Sequence, residues 1–165
     1  MKRAIAFSRT IKDSQRLSEQ FENVVNDYLD SDKGYSVNVR HVDGSMNALQ
    51  KNEALDWLAS DDIPEDSARI LSNVRFLTEG IDVPNLDAIV FLSPRKSQVD
   101  IVQAVGRIIR KSEGKEYGYI ILPIVVPAGE TPETILDNNK SYDVVWQVLN
   151  ALRSVDERFE ATVNK

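Results

Sequence analysis

The stretch Met1-KRAIAFSRTIKDSQRLSEQFENVVNDYL-Asp30 sets two patterns side by side. Ala4 to Ser8 is short and almost continuously apolar, as a parallel strand buried on both faces should be. From about Lys12 to Leu29, Leu17, Phe21, Val24, Val25 and Tyr28 recur at intervals of three and four, which aligns them on one stripe of a helix. A buried strand feeding an amphipathic helix is the first half of a βαβ unit, and the rest of the chain repeats the alternation. Further strands are predicted at Tyr35 to Val42, Arg69 to Val74, Asp87 to Leu92 and Tyr117 to Val126. Helices are predicted near Asn47 to Ala59, with Leu49, Leu55 and Leu58 inward, at Ser97 to Arg110, and at Ser141 to Phe159. The last of these has Val144, Val145, Val148, Leu149, Leu152 and Val155 as its apolar stripe, with Trp146 and Phe159 expected as core or domain-interface anchors. Turn and loop residues separate these elements at Ser31 to Gly34, Asp43 to Ser45, Asp61 to Asp66 and Pro127 to Thr134. The expected fold is α/β: a doubly wound, mostly parallel sheet with helices on both faces.

Composition narrows the function classes. A length of 165 residues suits one domain with a sizeable core, so neither disulfides nor a metal is required for stability. Cysteine is absent, which excludes a thiolate zinc site and a cysteine nucleophile, and the single histidine, His41, excludes a multi-histidine metal site. No apolar run approaches the roughly 20 residues that span a bilayer, and the N-terminus lacks a signal-type apolar stretch, so no membrane partner and a cytoplasmic location are expected. The formal charge of −6 argues against a surface that coats itself in nucleic acid through bulk charge. Between Arg95 and Glu116, however, six basic residues stand against three acidic ones, so a local cleft for a nucleotide or a strand is compatible with the acidic average.

In an open parallel sheet the ligand lies at the carboxyl ends of the strands, which directs attention to the loops after the third and fourth strands. Thr78-Glu79-Gly80-Ile81-Asp82-Val83-Pro84 holds Asp82 between a glycine that allows close backbone approach and a proline that locks the loop exit. Taken alone this is an ordinary turn. On the helix that follows the fourth strand, Ile101, Val102, Val105, Ile108 and Ile109 occupy one face, while Gln103, Arg107 and Arg110 occupy the opposite one. Two arginines three apart present planar forks suited to phosphate or carboxylate. Gly106 beside them costs roughly 1 kcal/mol relative to alanine inside a helix, a cost that close approach of another backbone or of a ligand would explain.

The string Gln103-Ala104-Val105-Gly106-Arg107-Ile108-Ile109-Arg110 resembles motif VI, Q-x-x-G-R-x-x-R, of superfamily 2 helicases and translocases. Ser72 to Pro84 is similar to their motif V, Ala4 to Arg9 to motif IV, and His41-Val42-Asp43-Gly44-Ser45 to the turn between those two. All four occur in the family's order over residues 1 to 126. The resemblance implies the second of two RecA-like domains of a motor, with ATP in the cleft between the domains and nucleic acid across both. It places Arg107 and Arg110 at the γ-phosphate, Arg110 as the arginine finger, and Gln103 nearby in the nucleotide cleft. Asp82 would accept a hydrogen bond from the ATP ribose, helped by Gly80. Ser8, Arg9, Asn73 and Thr78 become candidates for sugar-phosphate contacts. Residues 127–165 lie outside the resemblance and are expected to form a linker and a helix that packs on this domain or leads to a following one.

Departures from the family pattern bear on activity. A Walker A string is missing, since Gly114-Lys115 is followed by Glu116, and no acidic strand motif for Mg²⁺ is present. The implied partner is thus the first RecA-like domain of the same protein, which would bind most of the ATP and Mg²⁺. The chain reads as a piece of a larger protein, with Met1 an initiator at a domain boundary, and alone it is expected to hydrolyse no ATP. The segment from Leu77 to Ser97 is closer to the motor domains of restriction enzymes than to DEAD-box RNA helicases, which favours DNA over RNA. Two rival readings remain: a nucleotide-independent nucleic-acid-binding module, and an α/β domain that docks acidic proteins through its arginines.

Overall fold

A computed structural model describes residues 1–28, 35–74, 83, 86–93, 106, 115, 117–123, 126, 128–129, 131 and 143–155. The described strands are β1 (Arg3–Phe7), β2 (Ser36–Asp43), β3 (Ser67–Val74), β4 (Ala88–Phe91) and β5 (Tyr119–Ile121). The described helices are α1 (Ile11–Tyr28), α2 (Ala48–Ala59) and α3 (Asp143–Val155). All strand pairs are parallel, in the order β2-β3-β1-β4-β5. β1 is central: Ala6 lies beside Ser72 of β3 on one side and Val90 of β4 on the other. The chain winds first toward β2 and then, from β3, past β1 to β4 and β5, which makes this the doubly wound arrangement that the alternating pattern predicts.

Alternate residues of each strand face opposite sides of the sheet, and the two sides differ in chemistry. One side packs Ile5, Phe7, Val42, Leu71, Ile89 and Phe91 against Ala54 and Leu58 of α2 and Val148 of α3. Phe7 and Phe91 stack there with ring centroids 5.4 Å apart. The other side is built of smaller groups, Ala4, Ala6, Val39, Ile70 and Ala88, with Leu17 of α1 packed against them. Helices therefore cover both faces. α3 belongs to the first layer through Val148, which is fully buried, while Trp146 on the same helix is half exposed and is no core anchor. Phe159 lies outside the described residues.

Two apolar stripes differ from expectation. Leu49 is exposed because it stands about 180° around α2 from buried Leu58, so it cannot share that face. On α1, Leu17 meets the sheet, but Phe21, Val24 and Tyr28 are exposed. α1 lies over β2 and β3, where Leu17 packs, and Phe21 and Val24 line a groove with Leu92. β5 pairs over only three residues, shorter than the apolar run Tyr117 to Val126 suggests.

The ends are tied by polar bonds. Asn47 and Gln50 form a reciprocal capping box at the start of α2. At its other end the buried Arg3 guanidinium donates to the carbonyls of Leu58 and Ser60 and pairs with Asp61 at 2.8 Å. Arg69 pairs with Asp62 at 2.7 Å, so part of the acidic loop is anchored by two arginines of the sheet. The Asp87 carboxylate accepts the amides of Lys2 and Arg3 and so pins the start of β1 to the start of β4.

Candidate functional site

The carboxyl ends of the central strands carry a change of side-chain character. On the α1 side, β1 runs Ala4, Ala6 and then Ser8; β3 runs Ile70 and then Ser72; β2 runs Val37, Val39 and then His41 and Asp43. Three neighbouring strands thus turn from apolar to polar at the same level, where His41 and Ala6 both stand beside Ser72 in the register. Ser14, from the first turns of α1, is fully buried above them.

These groups form one continuous hydrogen-bonded chain. Ser8 Oγ lies 3.3 Å from Ser72 Oγ, Ser72 Oγ 2.6 Å from Ser14 Oγ, and Ser14 Oγ 2.7 Å from His41 Nδ1. His41 Nε2 is 2.7 Å from Asp43 Oδ2. The other Asp43 oxygen accepts both the backbone N–H and the hydroxyl of Ser45. The Ser45 hydroxyl, followed by the bond to His41, holds the Asp43 carboxyl down to about 2 against the burial that would raise it. An ionised Asp43 can only accept, so His41 Nε2 must carry a hydrogen. The sequence Asp43–His41–Ser14 has the order of an acyl-transfer triad, but Ser14 is fully buried and its Oγ also bonds Ser72, so no substrate carbonyl can reach it.

Ser8 and Asn73, both expected at the site, are brought together: the Ser8 amide donates to the Asn73 carbonyl at 3.0 Å. Ser8 is buried, 3% exposed, and stands in the wall of a groove of about 390 Å³. Arg9, exposed, lines the same groove, as do Arg16, Phe21 and Leu92. Asn73 is fully buried; its Nδ2 donates to the Ala6 carbonyl at 3.0 Å and its Oδ1 has no partner. One of its two amide hydrogens is therefore engaged within the sheet. Thr78, Gly80, Asp82, Gln103, Arg107 and Arg110 lie outside the described residues. Gly106 between Gln103 and Arg107 is helical, and a Cβ added there would meet nothing within 4 Å. Packing among the described residues thus gives no reason for a glycine there. Among the described residues no three carboxylate or imidazole groups converge to hold a metal, and no helix is long and apolar enough to cross a membrane.

Ser14 lies in no motif, and Ser72, His41 and Asp43, though inside the motif segments, are given no role there. Their signal is positional: Ser14 occupies the place three before Leu17 on the α1 stripe, and Ser72 and His41 each stand two beyond an inward apolar residue. A polar group in an apolar column needs a partner, and here each supplies the other's.

The chain is similar to known proteins. The sequence profile of the family "Helicase conserved C-terminal domain" matches residues 1–112. The African swine fever virus protein "Probable helicase A859L" is 38% identical over 90 residues, covering 54% of this chain and 10% of its own length. Among solved structures, the ATP-dependent Type ISP restriction-modification enzyme LlaBIII bound to DNA is 69% identical, with a TM-score of 0.88, covering 99% of this chain and 10% of that one. Domain 2 of the DEAD-box helicase Mss116p, bound to an RNA duplex, shares the fold at a TM-score of 0.56 and 15% identity, covering 96% of this chain and 67% of that one. The chain spans about a tenth of the length of the viral relative and of the restriction-modification enzyme.

Proposed function

The chain belongs to the helicase conserved C-terminal domain family, and from that membership we propose that it is the second motor domain of an ATP-dependent DNA translocase in a restriction-modification enzyme. The observation that carries the proposal is 69% identity over 99% of the chain to such an enzyme, solved on DNA. ATP and Mg²⁺ are held mainly by a first RecA-like domain; bound there, they supply the phosphoryl transfer that drives movement. This chain's share is electrostatic. Arg107 and Arg110 reach across the cleft to the γ-phosphate, Arg110 as the finger, with Gln103 beside them, while Asp82, aided by Gly80, takes the ribose hydroxyl. No described residue crowds Gly106, which is compatible with the close approach that this arrangement requires.

DNA is gripped through its backbone at the strand ends. Arg9 supplies the exposed charge and Ser8 a hydroxyl beside it, with Thr78 on the following loop. Asn73 gives one amide hydrogen to the Ala6 carbonyl and keeps the other for a backbone contact. Such contacts position a strand without reading its sequence. A preorganised finger arginine is worth about 10³ to 10⁵ in rate. Arg110→Ala in the intact protein should remove ATP hydrolysis by about that factor while the chain stays folded. The 165-residue chain alone should show no ATPase; unchanged turnover in the variant, or robust hydrolysis by the chain alone, sinks the reading.

A further inference from the structure

The hydroxyl chain from Ser8 to His41 has a direction, and only the imidazole sets it. His41 Nε2–H donates to ionised Asp43 in either charge state. When the ring is neutral, Nδ1 is an acceptor, so Ser14 donates to His41, Ser72 to Ser14 and Ser8 to Ser72. Ser8 then presents only lone pairs to the groove. When the ring carries a second proton, every donor turns round: Nδ1–H donates to Ser14, Ser14 to Ser72 and Ser72 to Ser8. The Ser8 hydrogen is then free for an acceptor outside. Lone pairs repel a phosphate oxygen and a hydroxyl hydrogen bonds it, so the two arrangements differ in what they bind. The reversal moves one proton from solvent to Nδ1 and rotates three hydroxyls; no heavy-atom bond changes.

We infer that His41 is a positioning residue that sets the donor polarity of Ser8 at the strand end, and that binding of a nucleic-acid phosphate there is coupled to proton uptake by His41. This inference rests on the reading of Ser8 as a backbone contact. The geometry favours it over a static role in two ways. Four consecutive links lie within hydrogen-bond distance, three of them at 2.6 to 2.7 Å, and the loosest, at 3.3 Å, is the one beside the groove, where a ligand competes. His41 is also the sole histidine, and imidazole is the side chain that exchanges a proton near neutrality.

The charged groups on the elements around it leave the direction to the ring. Asp43 on its own strand is the ion-pair partner found among the described residues. On α1, Glu22 accepts the Val39 amide and Asp13 accepts from Thr10. Lys51 of α2 donates to the Gly44 carbonyl, and Arg40 of β2 and Arg69 of β3 lie over the Trp57 ring.

The coupling is bounded by one hydrogen bond, about fivefold in affinity between the low-pH and high-pH limits, which corresponds to about 0.4 proton taken up at the midpoint. The test titrates single-stranded DNA into the intact protein calorimetrically, in buffers of different ionisation enthalpy and over a series of pH values that spans the midpoint of the coupling. Ser72→Ala cuts the chain while keeping the His41–Asp43 pair and the Ser8 hydroxyl; proton uptake should fall by about 0.4 relative to the unaltered protein. Ser14→Ala cuts it one link nearer the ring and should give the same loss, which covers the case in which either variant folds poorly. Equal uptake in the unaltered protein and in a folded chain-cutting variant overturns the inference, even if Ser8→Ala weakens binding and so upholds Ser8 as a contact. If Ser8→Ala leaves affinity unchanged, the contact itself fails and the inference with it.

Discussion

Replacing Asp43 by asparagine tests whether the buried turn at the end of β2 is held by charge. The folded carboxyl sits at about 2, below its ordinary value of 3.8, because the Ser45 hydroxyl and then His41 bond its ionised form. A carboxyl lowered on folding contributes stability that is complete above its unfolded value and is lost as pH falls toward the folded one. The shift of just under two units corresponds to about 2 kcal/mol, and water at exposed Gly44 and Ser45 screens part of it, leaving about 1 to 2 kcal/mol. The amide that replaces the carboxylate would also set an NH₂ group against either the His41 N–H or the two Ser45 donors. Urea unfolding of Asp43→Asn and of the unaltered chain should therefore differ by at least about 1 kcal/mol at about pH 7. The charge part of that gap should be roughly half gone by about pH 3. A gap of the same size under both conditions would refute the reasoning, because the loss would then belong to packing or to misplaced donors and not to the carboxylate charge.

Other perturbations separate the layers of the structure. Leu58→Ala, at a fully buried site between α2 and the aliphatic face, should cost about 2 to 5 kcal/mol in denaturant unfolding. Asn47→Ala removes the side-chain acceptor of the α2 capping box, leaving the Gln50 amide uncapped, and should cost about 1 kcal/mol in the same measurement. Arg9→Ala, exposed beside the groove, should leave stability within about 0.5 kcal/mol. In the intact protein it should weaken DNA binding evenly across sequences and lower the slope of log affinity against log salt by about 1.

Much of the fold is legible because strands buried on both faces are short apolar runs and the helices between them keep a period near 3.6. β1, β3 and β4 fall within two residues of where their apolar runs place them. Leu49 departs from expectation because an apolar residue near a helix start need not face the core: by angle it stands opposite Leu58, a difference that counting along the sequence already reveals. Phe21, Val24 and Tyr28 depart for another reason. Their stripe is real, but a stripe states what a helix can bury and not what lies beneath it: α1 covers β2 and β3, and Phe21 and Val24 line a groove instead. Ser8 and Asn73 are legible through the family motifs. The bonds of Ser14 to Ser72 and to His41 are not, because Ser14 stands 58 residues from the one and 27 from the other along the chain and only the fold brings them together.

The parallel register explains how one sheet can hold a stable core and a ligand-responsive end without conflict. Along β1 the odd residues Ile5 and Phe7 enter the aliphatic layer with Leu71, Ile89 and Leu58, while the even residues Ala4, Ala6 and Ser8 face α1. The first set supplies burial, which is non-directional and tolerates changes of shape that conserve volume. The second is small enough for α1 to bring Ser14 within 2.6 Å of Ser72, a contact that a larger residue at either position would prevent. Stability and hydrogen-bond direction therefore reside on opposite faces of the same strands. A substitution on the aliphatic face should move the unfolding midpoint and leave proton uptake on binding unchanged, whereas cutting the hydroxyl chain should change the uptake at a smaller cost in stability. If Leu58→Ala altered proton uptake as strongly as Ser72→Ala does, the two faces would be mechanically coupled and this division of labour would not hold.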